Sequence, residues 1–294
     1  MEIRTLYSFL TVAQEGNITK AADKMHLSQP ALSRQLAALE EEFGTQLLIR
    51  GKRKIQLTEA GLLLRRRAEE ILTLVNKTEK ELFDQNEVLT GTISIGAAEC
   101  EAAQVVLPEL IRKFHSRYPQ VTYSFASGTA DVIKEQLDSG ILDFGILMEP
   151  VDLERYDFVR LPFTEQWGAL VCSSSSAAQK EVLYPHDLRE LPLFFTKRSI
   201  VQNEIMSWLQ TEAEQLSVIA TYDLMSNAVS FAAHDLAAVV TTKGAYGSHC
   251  DDRVRFIPFA PSLQTGTVFV WKKRPLVSFL SKRFLEEVYH YINA

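Results

Sequence analysis

Apolar residues recur at spacings of four, three and four in Leu32, Leu36, Leu39 and Phe43, which predicts a helix with one buried face. Its start falls near Ser28, whose hydroxyl can cap free backbone N–H groups, with Pro30 in the first turn where a missing N–H costs nothing. The apolar face turns inward on Ile3, Leu6, Phe9, Ala21, Ala22 and Leu27, and the opposite face carries Gln29, Ser33 and Arg34. Beyond Gly44, QLLIR and KIQL alternate as short strands around Gly51, Lys52 and Arg53, a hairpin with cations near its tip. From Thr58, a good N-cap, to about Val88 there is no proline, and the composition favours one continuous helix roughly 45 Å long. Within it Leu64, Ala68, Ile71, Val75, Thr78 and Leu82 repeat by four and three. That stripe is the seam of a dimeric coiled coil, or else a face packed on the chain's own core.

From Gly91 the period shortens. TISIG, VVLPELIRKFHSRY, QVTYSFAS, DVIKEQLDSG and LDFGIL read as strand, helix, strand, helix and strand. A second set begins near Pro162 with GALVCSS and PLFFT, then a helix through Ile205 to Ala213, LSVIATY, a helix from Leu224 to Ala233, and LAAVVTT. TGTVFVW and an amphipathic helix from Leu276 to Ile292 close the chain, and SSSS at 173–176 reads as a flexible loop. The alternation predicts α/β organisation around a mainly parallel sheet.

A helix that packs through its C-terminal half and shows Gln, Ser and Arg near its N-terminus suits the DNA major groove, where a Gln amide pairs with adenine. Arg34 is better placed for a phosphate than for a base. A net charge of −6 on 294 residues argues against a nucleic-acid binder until its distribution is considered. Residues 1–57 hold eight Lys/Arg against six Asp/Glu, so a head of +2 is carried on a body of −8. A dimer would compensate for weak binding by each head, and its two-fold symmetry predicts an inverted-repeat operator.

The run AADKMHLSQPALSRQLAALEEEFGTQLLIR followed by LTEAG resembles the N-terminal domain of LysR-type transcriptional regulators, and the likeness extends through the chain length. The resemblance implies an N-terminal winged helix-turn-helix (1–57), a long dimerisation helix (58–90) and a C-terminal two-lobed α/β effector domain (91–294) like a periplasmic binding protein. It divides the last into lobe 1 (91–161 and 267–294) and lobe 2 (162–266), with crossings near Leu161 to Phe163 and Gln264 to Thr267. By position, base contacts fall on Gln29, Pro30 and Ser33, a phosphate contact on Arg34, and wing contacts around Arg50, Lys52 and Arg53. Ala31 departs from the hydroxyl residue that many members carry there. A homotetramer that bends DNA, acting on a neighbouring promoter with RNA polymerase as a further partner, is also implied.

Ligands of open α/β sheets sit beyond the carboxyl ends of strands, where helix N-termini offer unpaired N–H groups. The candidates are Ala98, Glu99 and Cys100 after the first strand, Ser127, Gly128 and Thr129 after the second, and Thr196 and Arg198 after PLFF, with Lys197 beside them. Tyr222 and Asn227 flank the cleft, and Trp167 either caps the ligand or packs at the hinge. Relatives place Ser or Thr where this chain has Glu99 and Cys100. Glu99 is then a helix cap, or a group that repels an anion and receives an amine, a hydroxyl or a proton-sensitive group; Arg198 favours a small carboxylate-bearing effector.

Three cysteines, Cys100, Cys172 and Cys250, lie far apart without zinc or redox spacing, so regulation by oxidation or by a partner is the alternative to a metabolite. His26, His115, His186, His234, His249 and His290 join no nucleophile or metal pattern, and no G-x-S-x-G occurs, which disfavours an enzyme. No cofactor is expected. With no leader and no apolar run of membrane-spanning length, the expected setting is the cytoplasm rather than that of a secreted solute-binding protein.

Overall fold

The computed structural model describes residues 2–50, 55–83, 89–210, 216–247, 251–273 and 278–293, with backbone alone at 50, 76, 77 and 79–83. The chain separates into two compact units, Met1–Gln85 and Asn86–Ala294.

In the first unit, helix α1 (Ile3–Glu15) ends at Gly16 in the left-handed conformation. The Asn17 side chain then accepts from the Thr19 and Lys20 N–H groups and opens α2 (Ile18–Lys24). After the turn, Ser28 Oγ accepts from Ala31 N at 3.4 Å, and α3 (Gln29–Phe43) starts with Pro30 in its first turn. Leu32, Leu36 and Leu39 are buried with Leu6, Phe9, Ala21 and Ala22, while Leu27 is half-buried. Ile3 and Phe43 were expected on this face but are 48% and 44% exposed, since each is the terminal residue of its helix and has no further turn to cover it.

Strands β1 (Leu48–Arg50) and β2 (Ile55–Leu57) pair antiparallel, with Leu48 opposite Leu57. Glu40 Oε1 accepts from Leu47 N at 2.8 Å and Leu48 N at 3.0 Å, which ties α3 to this hairpin. Thr58 Oγ1 accepts from Gly61 N at 3.0 Å at the start of α4 (Glu59–Phe83). Leu64, Ala68, Ile71 and Leu72 of α4 pack on the unit's own core. The first half of the expected dimer seam is thus used within the chain; Val75 is half-buried, Thr78 exposed, and the Leu82 side chain lies outside the described residues.

The second unit runs β3 (Gly91–Ala97), α5 (Glu101–Arg117), β4 (Val121–Ser127), α6 (Ala130–Asp138), β5 (Phe144–Met148) and β6 (Tyr156–Cys172). It continues with α7 (Pro185–Glu190), β7 (Pro192–Thr196), α8 (Ser199–Leu209), β8 (Ser217–Tyr222), α9 (Met225–Ala233) and β9 (Ala238–Thr242). Then come α10 (Lys243–Gly247), β10 (Val254–Pro258), β11 (Gln264–Lys272) and α11 (Phe279–Ile292). The strand order is β4-β3-β5-β11-β6-β9-β7-β8, with β10 added on β6.

Strand β6 joins two lobes, pairing with β11 over Tyr156–Gln166 and then with β9 and β10 over Trp167–Cys172. The β6–β11 register shifts between Gly266 and Thr267, opposite Thr164 and Leu161. Each lobe has its own core, Ile93, Phe144, Phe269 and Phe284 in one, Leu193, Phe195, Ile205 and Ile257 in the other. The sheet is mixed rather than mainly parallel, because β6, β10 and β11 pair antiparallel while β3–β4, β3–β5, β7–β8 and β7–β9 are parallel. The sequence pattern also missed α7, α10, β10 and the first part of β6. The SSSS stretch is tied down rather than loose: Ser173 N donates to Arg253 O, Ser175 Oγ donates to Cys172 O, and a 3₁₀ turn follows. The helix ends expected at Val88, Ala213 and Leu276 fall outside the described residues. Among the described residues no helix is long and apolar enough to cross a membrane.

Candidate nucleic-acid interface and ligand cleft

The exposed N-terminal face of α3 carries Gln29, Pro30 and Arg34, with Ser33 half-buried beside them. Gln29 Nε2 donates to Ser33 Oγ at 2.8 Å, so two of the three residues expected to contact bases hold each other one helical turn apart. Arg34 Nε donates to Pro30 O at 3.3 Å, leaving the rest of the guanidinium beside that pair. Gln35 points the other way, its amide joined to Ser8 and Thr5 of α1, which fixes the rotation of α3 on its support. Arg50 is described only in its backbone, and Lys52 and Arg53 lie outside the described residues.

In the second unit, a cavity of about 640 Å³, counted to its open mouth, lies between the lobes. Of the sequence candidates, Ala98, Glu99, Gly128 and Thr129 line it from one lobe. Trp167, Thr196, Arg198 and Tyr222 line it from the other. Three candidates do not reach it. Cys100 precedes α5 and is fully buried, Ser127 is exposed at the end of β4, and Asn227 is exposed in the first turn of α9. Lys197 is exposed as well.

The missed lining residues include Met148 and Glu149 after β5 and Thr241, Thr242 and Ala245 around the end of β9. Leu224 and Met225, at the start of α9, were missed too. The rule that selected the ends of β3, β4, β7 and β8 covers β5 and β9 equally; extending it to LDFGILME and LAAVVTT finds Met148, Glu149, Thr241 and Thr242.

The cleft is crossed by the chain's own charges. Glu99 Oε2 accepts from Met225 N at 2.6 Å, putting a carboxylate of one lobe on the N-terminus of α9 in the other. Arg198 Nε donates to Asp131 Oδ2 at 3.2 Å, a second link between lobes. Deeper in, Glu165 is 1% exposed and accepts from Glu101 N at 2.5 Å and Gly244 N at 3.1 Å. Burial pushes its carboxyl up, and the two N–H donors pull it partly back. Gln104 Nε2 donates to Gly244 O at 2.8 Å beside it. Glycine is required at 244, since a Cβ there would lie 2.3 Å from Glu101 N. Tyr222 is committed too, its hydroxyl donating to Val240 O at 2.6 Å. Burial pushes the Cys100 thiol up to about 12. Among the described residues no group of His, Cys, Asp and Glu is placed to hold a metal ion.

Comparison with protein families matches residues 3–62 to the bacterial regulatory helix-turn-helix protein, lysR family, and residues 86–291 to the LysR substrate binding domain. The chain belongs to the LysR family. Among relatives of this LysR-family chain, the HTH-type transcriptional regulator YtlI of Bacillus subtilis (strain 168) is 31% identical over 196 residues, covering 67% of this chain and 63% of the relative. The probable RuBisCO transcriptional regulator of Chlorokybus atmophyticus is 33% identical over 199 residues, 65% of this chain and 63% of the relative. The match thus spans about 63% of the length of either relative. In fold, the chain is similar to CbnR, a LysR family transcriptional regulator, at 23% identity with a TM-score of 0.75 over 99% of each chain. CbnR complexed with its target DNA gives a TM-score of 0.73 at 23% identity, again over 99% of each chain.

Proposed function

We propose that this chain is a sequence-specific, DNA-binding transcriptional regulator whose activity is set by a small molecule held between the two lobes. The observation that carries the reading is the exposed Gln29–Ser33 pair on α3, within the segment matched to the lysR helix-turn-helix. In the major groove their mutual hydrogen bond is exchanged for base edges, with Arg34 and the basic wing at Arg50, Lys52 and Arg53 on phosphates or the minor groove. Residues 1–57 serve as the reading head, 58–90 as the helix that brings two heads together, and 91–294 as the sensor. Lobe 1 is 91–161 with 267–294, and lobe 2 is 162–266. The regulator acts in the cytoplasm as a homodimer that pairs into a tetramer, within reach of RNA polymerase.

Ligand binding shifts the lobes only as far as its affinity differs between their arrangements. The links to break or strengthen are Glu99 to α9 and Asp131 to Arg198. Regulation by a thiolate at Cys100 is disfavoured by its burial and its raised pKa. Names of relatives such as YtlI describe regulators rather than enzymes, in keeping with a non-catalytic chain.

Selection of binding sites from a randomised duplex pool by the purified chain tests the reading. The expected product is an inverted repeat with half-site centres about one helical turn, or a multiple of it, apart. A pool that never enriches above its starting composition overturns it.

A further inference from the structure

Two features of the cleft that attract anions, Arg198 and the N-terminus of α9, are already occupied by the chain's own carboxylates. Glu99 fills the N-terminus of α9, and Asp131 pairs with Arg198, whose side chain is 13% exposed. A ligand carboxylate seeking Arg198 or the N-terminus of α9 must compete there with Asp131, itself 63% exposed, or with Glu99.

What stays unsatisfied is of two kinds. Trp167 lines the cavity at 4% exposure, and its indole Nε1 is buried with no hydrogen-bond partner among the described residues. It is a donor in need of an acceptor. On α8, one turn beyond the cavity-lining Val201, Glu204 has a buried Oε2 that also lacks a partner. Burial first, and the charge of Glu149 second, push its carboxyl up. Glu149 lines the cavity from the other lobe, and Glu204 sits one turn behind the cavity wall at Val201, close enough to feel the charge of Glu149. The cation beside Glu149 is Arg160, at 3.1 Å with a side chain 69% exposed, whereas Glu204 has no ion pair among the described residues. An ammonium group would relieve this crowding.

On the reading of the cavity as the effector site, we propose that its ligand is a small amino acid or amino-acid-like molecule. Its ammonium lies against Glu149 and Glu204, and its carboxylate or carbonyl accepts from Trp167 Nε1–H. The hydroxyls of Thr196 and Thr242, which also line the cavity, supply further donors to the accepting end.

The test uses the purified full chain in thermal unfolding and titration calorimetry with three series: L-α-amino acids, the matching α-keto acids, and the matching primary amines. At least one amino acid is expected to bind at least about ten-fold more tightly than its keto acid or its amine. Glu204→Gln should weaken that binding about ten-fold, and Trp167→Phe, which keeps a ring and removes the N–H, several-fold, with each variant's folding checked by circular dichroism. Gly128→Leu should abolish it, since Gly128 lines the cavity and an added Cβ meets nothing nearer than Val132 at 3.5 Å. Keto acids that bind as well as amino acids, silence from all three series, or binding indifferent to both Glu204→Gln and Trp167→Phe overturns the amino-acid assignment. Keto-acid binding that Gly128→Leu abolishes would leave the cavity standing as the effector site. Binding of any probe that Gly128→Leu leaves unchanged would remove the cavity itself.

Discussion

The face of α3 and the inter-lobe cleft present polar groups by opposite routes. On α3 the candidate base-reading and phosphate-contacting residues lie within Gln29 to Arg34, brought together by helical periodicity alone. The cleft draws its walls from residues 98–99, 128–130, 148–149, 196–201, 222–225 and 241–245, brought together by the sheet order. The α3 face is supported by side chains that hold a helix at a fixed rotation. The cleft is held by carboxylates that bridge two lobes, so its polar groups serve as structure and as ligand surface together. A local face can therefore be altered one residue at a time, while a change in the cleft also alters lobe coupling.

The largest effects should come from the glycines that permit each arrangement. A Cβ at Gly61 would lie 2.1 Å from Leu47 O, and one at Gly244 would lie 2.3 Å from Glu101 N, both against backbone that cannot step aside. Gly61→Ala should destabilise the first unit, and Gly244→Ala the second, each by about 3 kcal/mol. Hydrogen exchange resolved by segment would check this; loss of protection spread equally over both units in either variant would erase the separation between them.

Next in size is Glu40→Ala, which strands two N–H groups, Leu47 N and Leu48 N, at the junction of α3 and the wing. A loss of about 2 kcal/mol is expected in denaturant unfolding of the first unit, with ligand binding in the cleft untouched. A change below about 0.5 kcal/mol would mean water replaces the carboxylate without penalty.

A smaller effect separates the regions by pH. Burial raises the Glu165 carboxyl above its ordinary value, so the folded chain holds this proton more tightly than the unfolded one. The resulting stability is fully present below the ordinary carboxylate range and is lost as pH rises through the folded-state value. The difference in melting temperature between the parent and Glu165→Gln should therefore shift in favour of the variant as pH rises across that window. A difference independent of pH would exclude Glu165 as the titrating group.

Much of this contrast was already visible in the residues. Ser28, Pro30 and the Leu32, Leu36, Leu39 spacing located α3 to within a residue, because caps and periodicity are local signals. Eight of the eleven cleft candidates line the cavity, because strand ends near helix N-termini can be counted from alternation. What stayed hidden depends on distance through space. Ser127 is where the strand-end rule puts it, yet it faces solvent; the rule gives the end of a strand but not which of its last residues turns inward. Glu165 sits in a stretch of β6 that read as a connection, and its partners Glu101 and Gly244 are far away in the chain. The seam on α4 was legible as a stripe but not as to its partner, and its first half covers α1 and the core of its own unit.

The DNA-reading role proposed for α3 turns on a base contact by Gln29. It is tested most directly by measuring the affinities of the parent and Gln29→Ala for a selected operator and for each of its single base-pair variants. With a base contact at Gln29, the effects of Gln29→Ala and of one base pair in each half-site fail to add, with a coupling on the order of 1–3 kcal/mol, while other positions add. Additivity at every base pair would contradict it.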